Sequence, residues 1–124
     1  MTPGLVRFTK GCVQQGPTVR VEILEAPEEQ QRGLMDRASL AEDEGAIFWF
    51  TDRKARLFWM RRTGLVLDLV FIDGVNVVGI LTLQPYDETP RGVERPSTSV
   101  LEVRGGFCQR HGVAVGQKVT ISLD

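Results

Sequence analysis

The chain has 124 residues, the size of one domain, with 42% hydrophobic and 25% charged residues, so it can bury a core without disulfide staples. Its net charge of −1 and pI of about 5.9 argue against a dedicated nucleic-acid binder. No stretch approaches the ~18 consecutive apolar residues of a membrane helix, and residues 1–10 lack the basic-then-apolar order of a secretory signal, so the chain reads as soluble and cytoplasmic with no membrane partner.

Val6 and Phe8, then Val19, Val21 and Ile23, alternate with polar residues and predict two strands joined across Gly11–Pro17. Pro27 followed by Glu28 and Glu29 suits the first turn of a helix, which is expected to run from Pro27 to about Met35 and to end with the help of Gly33. Ser39-Leu40-Ala41-Glu42 fits a capping box that starts one short turn. Ala46–Phe50 and Ala55–Met60 read as a hairpin joined by the polar segment Thr51–Lys54. A strand follows from Leu65 to Asp73, and the Asp73-Gly74 turn leads into its partner, Val75–Leu83. Periodicity disappears from Gln84 to Thr98, a loop long enough to be functional or mobile. Ser99–Val103 is a further strand, Gly105-Gly106 opens a short helical stretch to His111, and Lys118–Leu123 is the last strand. About eight short strands with one or two short helices predict a mainly β, barrel-like single domain, closed so that its strands have no free edges.

Five stretches, in this order and spacing, resemble the domain of unknown function 192 family of small bacterial and archaeal proteins. They are Arg32–Arg37, Glu44–Phe48, Phe58–Thr63, Leu67–Asp73 and Val100–Gly106, with Gly112 and Gly116 beyond. The resemblance runs from about residue 18 to the C-terminus. It implies a β-barrel-like domain with a short helix, and no particular activity. Two positions depart from the family pattern: Arg62 stands where relatives usually carry asparagine, and Val66 where they carry proline. The link Gly112–Gln117 resembles the Gly-Asp turn of cradle-loop barrels, with Gln117 in place of the aspartate.

Asp68 interrupts a strand that is apolar on both faces, so its carboxylate needs a partner or a proton. Arg32, Arg37 or a backbone turn could provide for it. The residue reads either as a buried structural group or as a general acid/base, with Glu102 as a possible second carboxylate. Glu102 reads more simply as an outward-facing strand residue. Trp59, between Phe58 and Met60 and followed by Arg61, Arg62 and Thr63, could line a cleft or join the core. The first functional expectation is therefore a binding module for an unidentified small molecule or protein. Its cleft would be lined by Trp59, Met60, Thr63, Asp68 and an arginine from Arg32 or Arg37, and covered by loop 84–98. The second is acid/base catalysis by Asp68 with Glu102. The third is a nucleic-acid surface on Arg53, Lys54, Arg56, Arg61 and Arg62, disfavoured by the net charge. Cys12 and Cys108 read as free buried thiols. Cys108 and His111, three apart, are too few for a metal site, and nothing orients the imidazole. No nucleotide or serine-hydrolase motif is present, and no cofactor is implied.

Overall fold

The structure, a computed structural model, describes residues 2–10 and 14–124; Cys12 and the middle of the predicted Gly11–Pro17 connection lie outside the described residues. In chain order the elements are β1 (Thr2–Lys10), β2 (Gln14–Leu24), α1 (Pro27–Arg32), β3 (Glu44–Lys54), β4 (Leu67–Asp73), β5 (Asn76–Leu83), β6 (Ser97–Arg104), α2 (Phe107–His111) and β7 (Lys118–Leu123). The strands close into one barrel in the order β1-β2-β3-β6-β4-β5-β7. All pairings are antiparallel except β2 with β3, which are parallel and are connected through α1. The closure between β5 and β7 is short. It consists of the pair Asn76–Lys118, helped by backbone bonds that Val77 and Gly116 exchange with the 112–117 link. Gln117 braces that link with its amide, accepting from Ala114 N and donating to Gly112 O.

Two apolar layers follow from strand alternation. Residues such as Val6, Phe8, Val21, Ile47, Val70, Leu101, Val103 and Val119 fill the barrel, with Phe107, Cys108 and Val113 from α2 and its link closing it. The opposite face of β3, β6 and β4 carries Ala46, Phe48, Val100, Leu67, Leu69 and Phe71. It is covered by Leu34 and Leu40 after α1 and by Met60. This second layer explains why β4 is buried on both faces, as its apolar residues on both sides suggest.

Two expectations are corrected. The predicted 46–60 hairpin does not form, and the described residues hold seven strands against the expected number of about eight. β3 instead runs straight through Thr51–Lys54, and the 55–66 segment folds back as a loop with one bridge, Phe58–Arg91. At Ser39–Glu42 the expected short turn forms, closed by Glu44, which donates its N–H to Ala41 O and accepts from Ala41 N with its carboxylate, while Glu42 is used elsewhere. α1 ends at Arg32, three residues early, because Gly33 takes φ 50°, ψ −123°, which breaks the helical path and suits glycine. Gly33→Ala is expected to cost roughly 1–3 kcal/mol in a denaturant melt from backbone strain, since its Cβ would also press on Phe48 Cζ at 3.2 Å.

Candidate functional site

A groove of about 850 Å³ opens between α1, the outer end of β3 and the 55–63 loop. Its walls are Phe48, Trp49, Phe50, Phe58 and Trp59. Phe58 is fixed edge-on against Phe48 (5.1 Å) and Phe71 (5.8 Å), so the wall is continuous with the outer core. Trp49 and Trp59 are 44% and 45% exposed, and Leu57 beside them 70%. Arg32 and Arg61 also line the groove, and neither carries an ion pair among the described residues. Arg61 lies 5.6 Å from the Trp59 ring. A tryptophan half in water beside an unpaired guanidinium is suited to stacking a flat ligand and meeting a negative charge.

Of the residues expected to line a cleft, the structure brings Arg32, Trp59 and Thr63 to this groove. The Thr63 hydroxyl is already committed to Arg61 O at 3.1 Å. Met60 is instead a core residue, 1% exposed in the outer layer. Arg37 lies outside the groove lining. Asp68 shares the interior face of β4 with Val70 and Ile72, so the sheet itself separates it from the groove. The loop 84–98 does not cover the groove. It is pinned along the far side of the 58–63 segment by the Phe58–Arg91, Met60–Asp87 and Tyr86–Thr63 backbone bonds, and lines a separate depression.

Asp68 bonds to neither Arg32 nor Arg37, and among the described residues no arginine forms an ion pair with it. Its Oδ1 accepts from Thr82 Oγ1 at 2.8 Å and its Oδ2 from the backbone N–H of Cys108 at 3.0 Å. That amide opens the first turn of α2, so the carboxylate satisfies a helix donor that has no partner within the helix. The expected dyad with Glu102 does not assemble. Leu69 is the residue of β4 opposite Glu102, and Asp68 lies opposite Val103, so the two carboxyls point to opposite faces. Glu102 sits instead in the outer layer, buried rather than solvent-facing, between Ala46 and Leu69. Burial alone pushes its carboxyl up to about 8, so it carries a proton at neutral pH.

Sequence separation hid one cluster. Glu42 accepts from Arg110 Nε (2.6 Å) and Nη2 (2.7 Å) and meets His111 Nε2 at 3.0 Å, across 68 and 69 positions. The imidazole is therefore oriented after all. The bond from Arg110 holds the Glu42 carboxyl down at about 2. Cys108 is free and buried, and burial with the neighbouring Asp68 charge pushes its thiol up to about 12, which leaves no thiolate for nucleophilic work. Among the described residues no group of three or more His, Cys, Asp or Glu is placed to hold a metal. No described helix is long and apolar enough to cross a membrane.

The basic cluster is largely consumed internally. Arg53 binds Asp73 through two nitrogens, Lys54 lies 3.6 Å from Asp52, and Arg62 pairs with Asp36. Arg62 has φ 55°, a left-handed turn that asparagine adopts readily, which gives a backbone reason for the residue usual at this position. Arg56 is 8% exposed, donates to Ser97 O and to Asp52 O and Oδ1, and covers the Phe50 ring at 3.5 Å. Arg56→Ala is expected to lower stability by roughly 2 kcal/mol in a urea melt, since it strands the buried Ser97 carbonyl and uncovers Phe50.

The profile of the DUF192 family, described as an uncharacterised ACR, matches residues 11–121. The chain belongs to the DUF192 family. Two solved structures share its fold over 95% of its length. One, from Novosphingobium aromaticivorans DSM 12444, is described as a protein of unknown function; it is 36% identical, with a TM-score of 0.86 and 83% of its own chain covered. The other, from Sinorhizobium meliloti 1021, is described provisionally as a transcription regulator; it is 28% identical, with a TM-score of 0.90 and 92% of its chain covered. None of the curated proteins compared with the chain matches it.

Proposed function

We propose that the aromatic groove binds a small molecule with a flat apolar body and an anionic group, and that the protein is a binding module. The observation that carries this reading is the pairing of half-exposed Trp49 and Trp59 with Arg32 and Arg61, two cations without ion-pair partners among the described residues, around one groove. Exposed aromatic surface costs solvation unless something covers it. A volume of about 850 Å³ is within the usual range for small-ligand sites. The lining also holds Glu25, and Asp52 neutralised by Arg56 and Lys54, so with Arg32 and Arg61 cations outnumber acids around the groove and favour an anionic group.

The probe is 8-anilinonaphthalene-1-sulfonate, which is flat, apolar and anionic. Saturable one-to-one binding is expected, and Trp59→Ala should weaken it about tenfold or more without lowering the melting temperature. The pair Arg32→Ala and Arg61→Ala should weaken it about tenfold while sparing uncharged N-phenyl-1-naphthylamine. Binding that survives Trp59→Ala unchanged would refute the site.

The description of the Sinorhizobium protein raises a nucleic-acid partner as a second reading. The internal pairing of Arg53, Lys54, Arg56 and Arg62 speaks against it here. Salt-sensitive DNA binding lost on neutralising Arg53, Lys54 and Arg56 would reverse that preference.

A further inference from the structure

Glu102 lies directly behind one wall of the groove. Its Oε1 is 3.6 Å from where a Cβ on Gly33 would stand, and Phe48 packs at the same point. Gly33 and Phe48 both line the groove. Glu102 is 5% exposed, and its carboxyl has no hydrogen bond or ion pair among the described residues. Charged groups do occur on the elements around it: Glu22 on β2, which faces the same side across Ala46, Glu44 on β3, Arg104 on its own strand, and Glu28, Glu29, Arg32, Asp36 and Arg37 on α1 and the following turn. None of them bonds to it, and the Glu44 carboxylate is committed to Ala41 N. β4 offers only Leu67, Leu69 and Phe71 on this side.

The wall in front of this carboxyl is lightly held up to Asp36, where the chain is fastened to the 55–63 loop by the Asp36 N–H bond to Arg62 O and the Asp36–Arg62 ion pair. α1 has six residues and buries none of them. It is tied down by the Gln30 amide, which donates to Leu24 O and Trp49 O, and by Leu34 beyond its end. A short helix with exposed backbone bonds and few buried contacts opens at low cost. A buried carboxyl gains hydration when such an element lifts, and gains most when it is charged.

We propose that α1 and the Gly33 turn form a movable wall of the groove, held shut by the proton on Glu102 and released when that proton leaves. The wall's role in admitting a ligand rests on the binding reading above; its motion does not. The sign follows from linkage. With the wall shut the carboxyl titrates near 8, and with it open near the ordinary 4.5. Between those values the open state has lost a proton that the shut state keeps. Opening should therefore rise about tenfold per pH unit across that window and level off above about 8, where both states are ionised.

The test is amide hydrogen exchange by NMR between pH 5 and 9, corrected for intrinsic rates. The reporters are Gly33 N–H, bonded to Glu29 O, and Met35 N–H, bonded to Arg32 O, both at 2.9 Å. Wild type should lose protection at both by about tenfold per unit up to about 8, while Glu102→Gln stays flat. A flat wild type, or the same slope in Glu102→Gln, overturns the wall. Should that variant fail to fold, the 13C titration of the Glu102 carboxyl in wild type decides. A midpoint near 8 with matching loss of protection supports the wall, and one in the ordinary carboxylate range overturns it. Sulfonate dye that binds a protein with flat exchange removes the wall and leaves the site. The reverse pattern removes the site and leaves the wall.

Discussion

Glu102→Gln should melt higher than wild type at pH 7–8.5 and at nearly the same temperature at pH 5 or below. Glu102 is buried between Ala46 and Leu69 with no hydrogen bond or ion pair among the described residues, and burial raises its carboxyl from 4.5 to about 8. An acid with a raised folded value contributes full stability below its unfolded value, loses it as pH climbs to the folded one, and changes nothing beyond. At pH 7 the loss amounts to roughly 3 kcal/mol at most, which in a domain of this size is a shift of roughly 10 °C. Gln has nearly the same shape and never ionises, so it removes the pH-dependent part and keeps the packing. A wild-type melting temperature that does not fall between pH 5 and 8 relative to the variant would mean that Glu102 has a partner in solution, and the wall built on its isolation would fall with it.

Asp68→Asn should act in the opposite direction. Both carboxylate oxygens are in use, one on Thr82 Oγ1 and one on the Cys108 amide that opens α2. Asparagine keeps a single acceptor and turns an N–H₂ toward the other donor. With its Oδ1 on the Cys108 amide, its N–H₂ can donate to Thr82 Oγ1, so what is lost is the charge on the acceptor, and the expected cost is roughly 1–2 kcal/mol in a denaturant melt. The loss should be partly shared with Thr82→Val, so the double variant should cost less than the sum of the two singles. Fraying should show first in α2, because Phe107 and Cys108 close the barrel through that turn. An unchanged melt for Asp68→Asn would mean that the fold does not need the charge. Asp68 would then return as a candidate for chemistry, since a group kept without benefit to stability tends to be kept for function.

These two carboxyls show how far the amino-acid sequence reads by itself. The period of two over Leu67–Asp73, and its apolar residues on both sides, determined a strand buried on both faces. Asp73-Gly74 determined the β4–β5 turn, Pro27 with Glu28 and Glu29 the start of α1, and Lys118–Leu123 the last strand. These are local facts, written in side-chain alternation and backbone preference. Enough of the family's ordered segments survive that membership and the barrel-like class were legible as well.

Tertiary structure alone decided the rest, because it depends on pairing between distant segments. Whether 46–60 is a hairpin turned on β3 finding β6, some fifty positions away, as a better partner than the segment that follows it. That choice left Phe58 and Trp59 on a loop and made the groove. The faces of Asp68 and Glu102 follow from a register in which Asp68 meets Val103 and Leu69 meets Glu102. A shift of one residue would have exchanged their environments, because successive strand residues point to opposite sides of the sheet. Burial, and with it the proton on Glu102 and the consumption of Arg56, Arg53 and Arg62 by local acids, appears only once the layers are stacked. A sequence carries the period of a strand, but the neighbour across it sets each side chain's charge, partner and access to water.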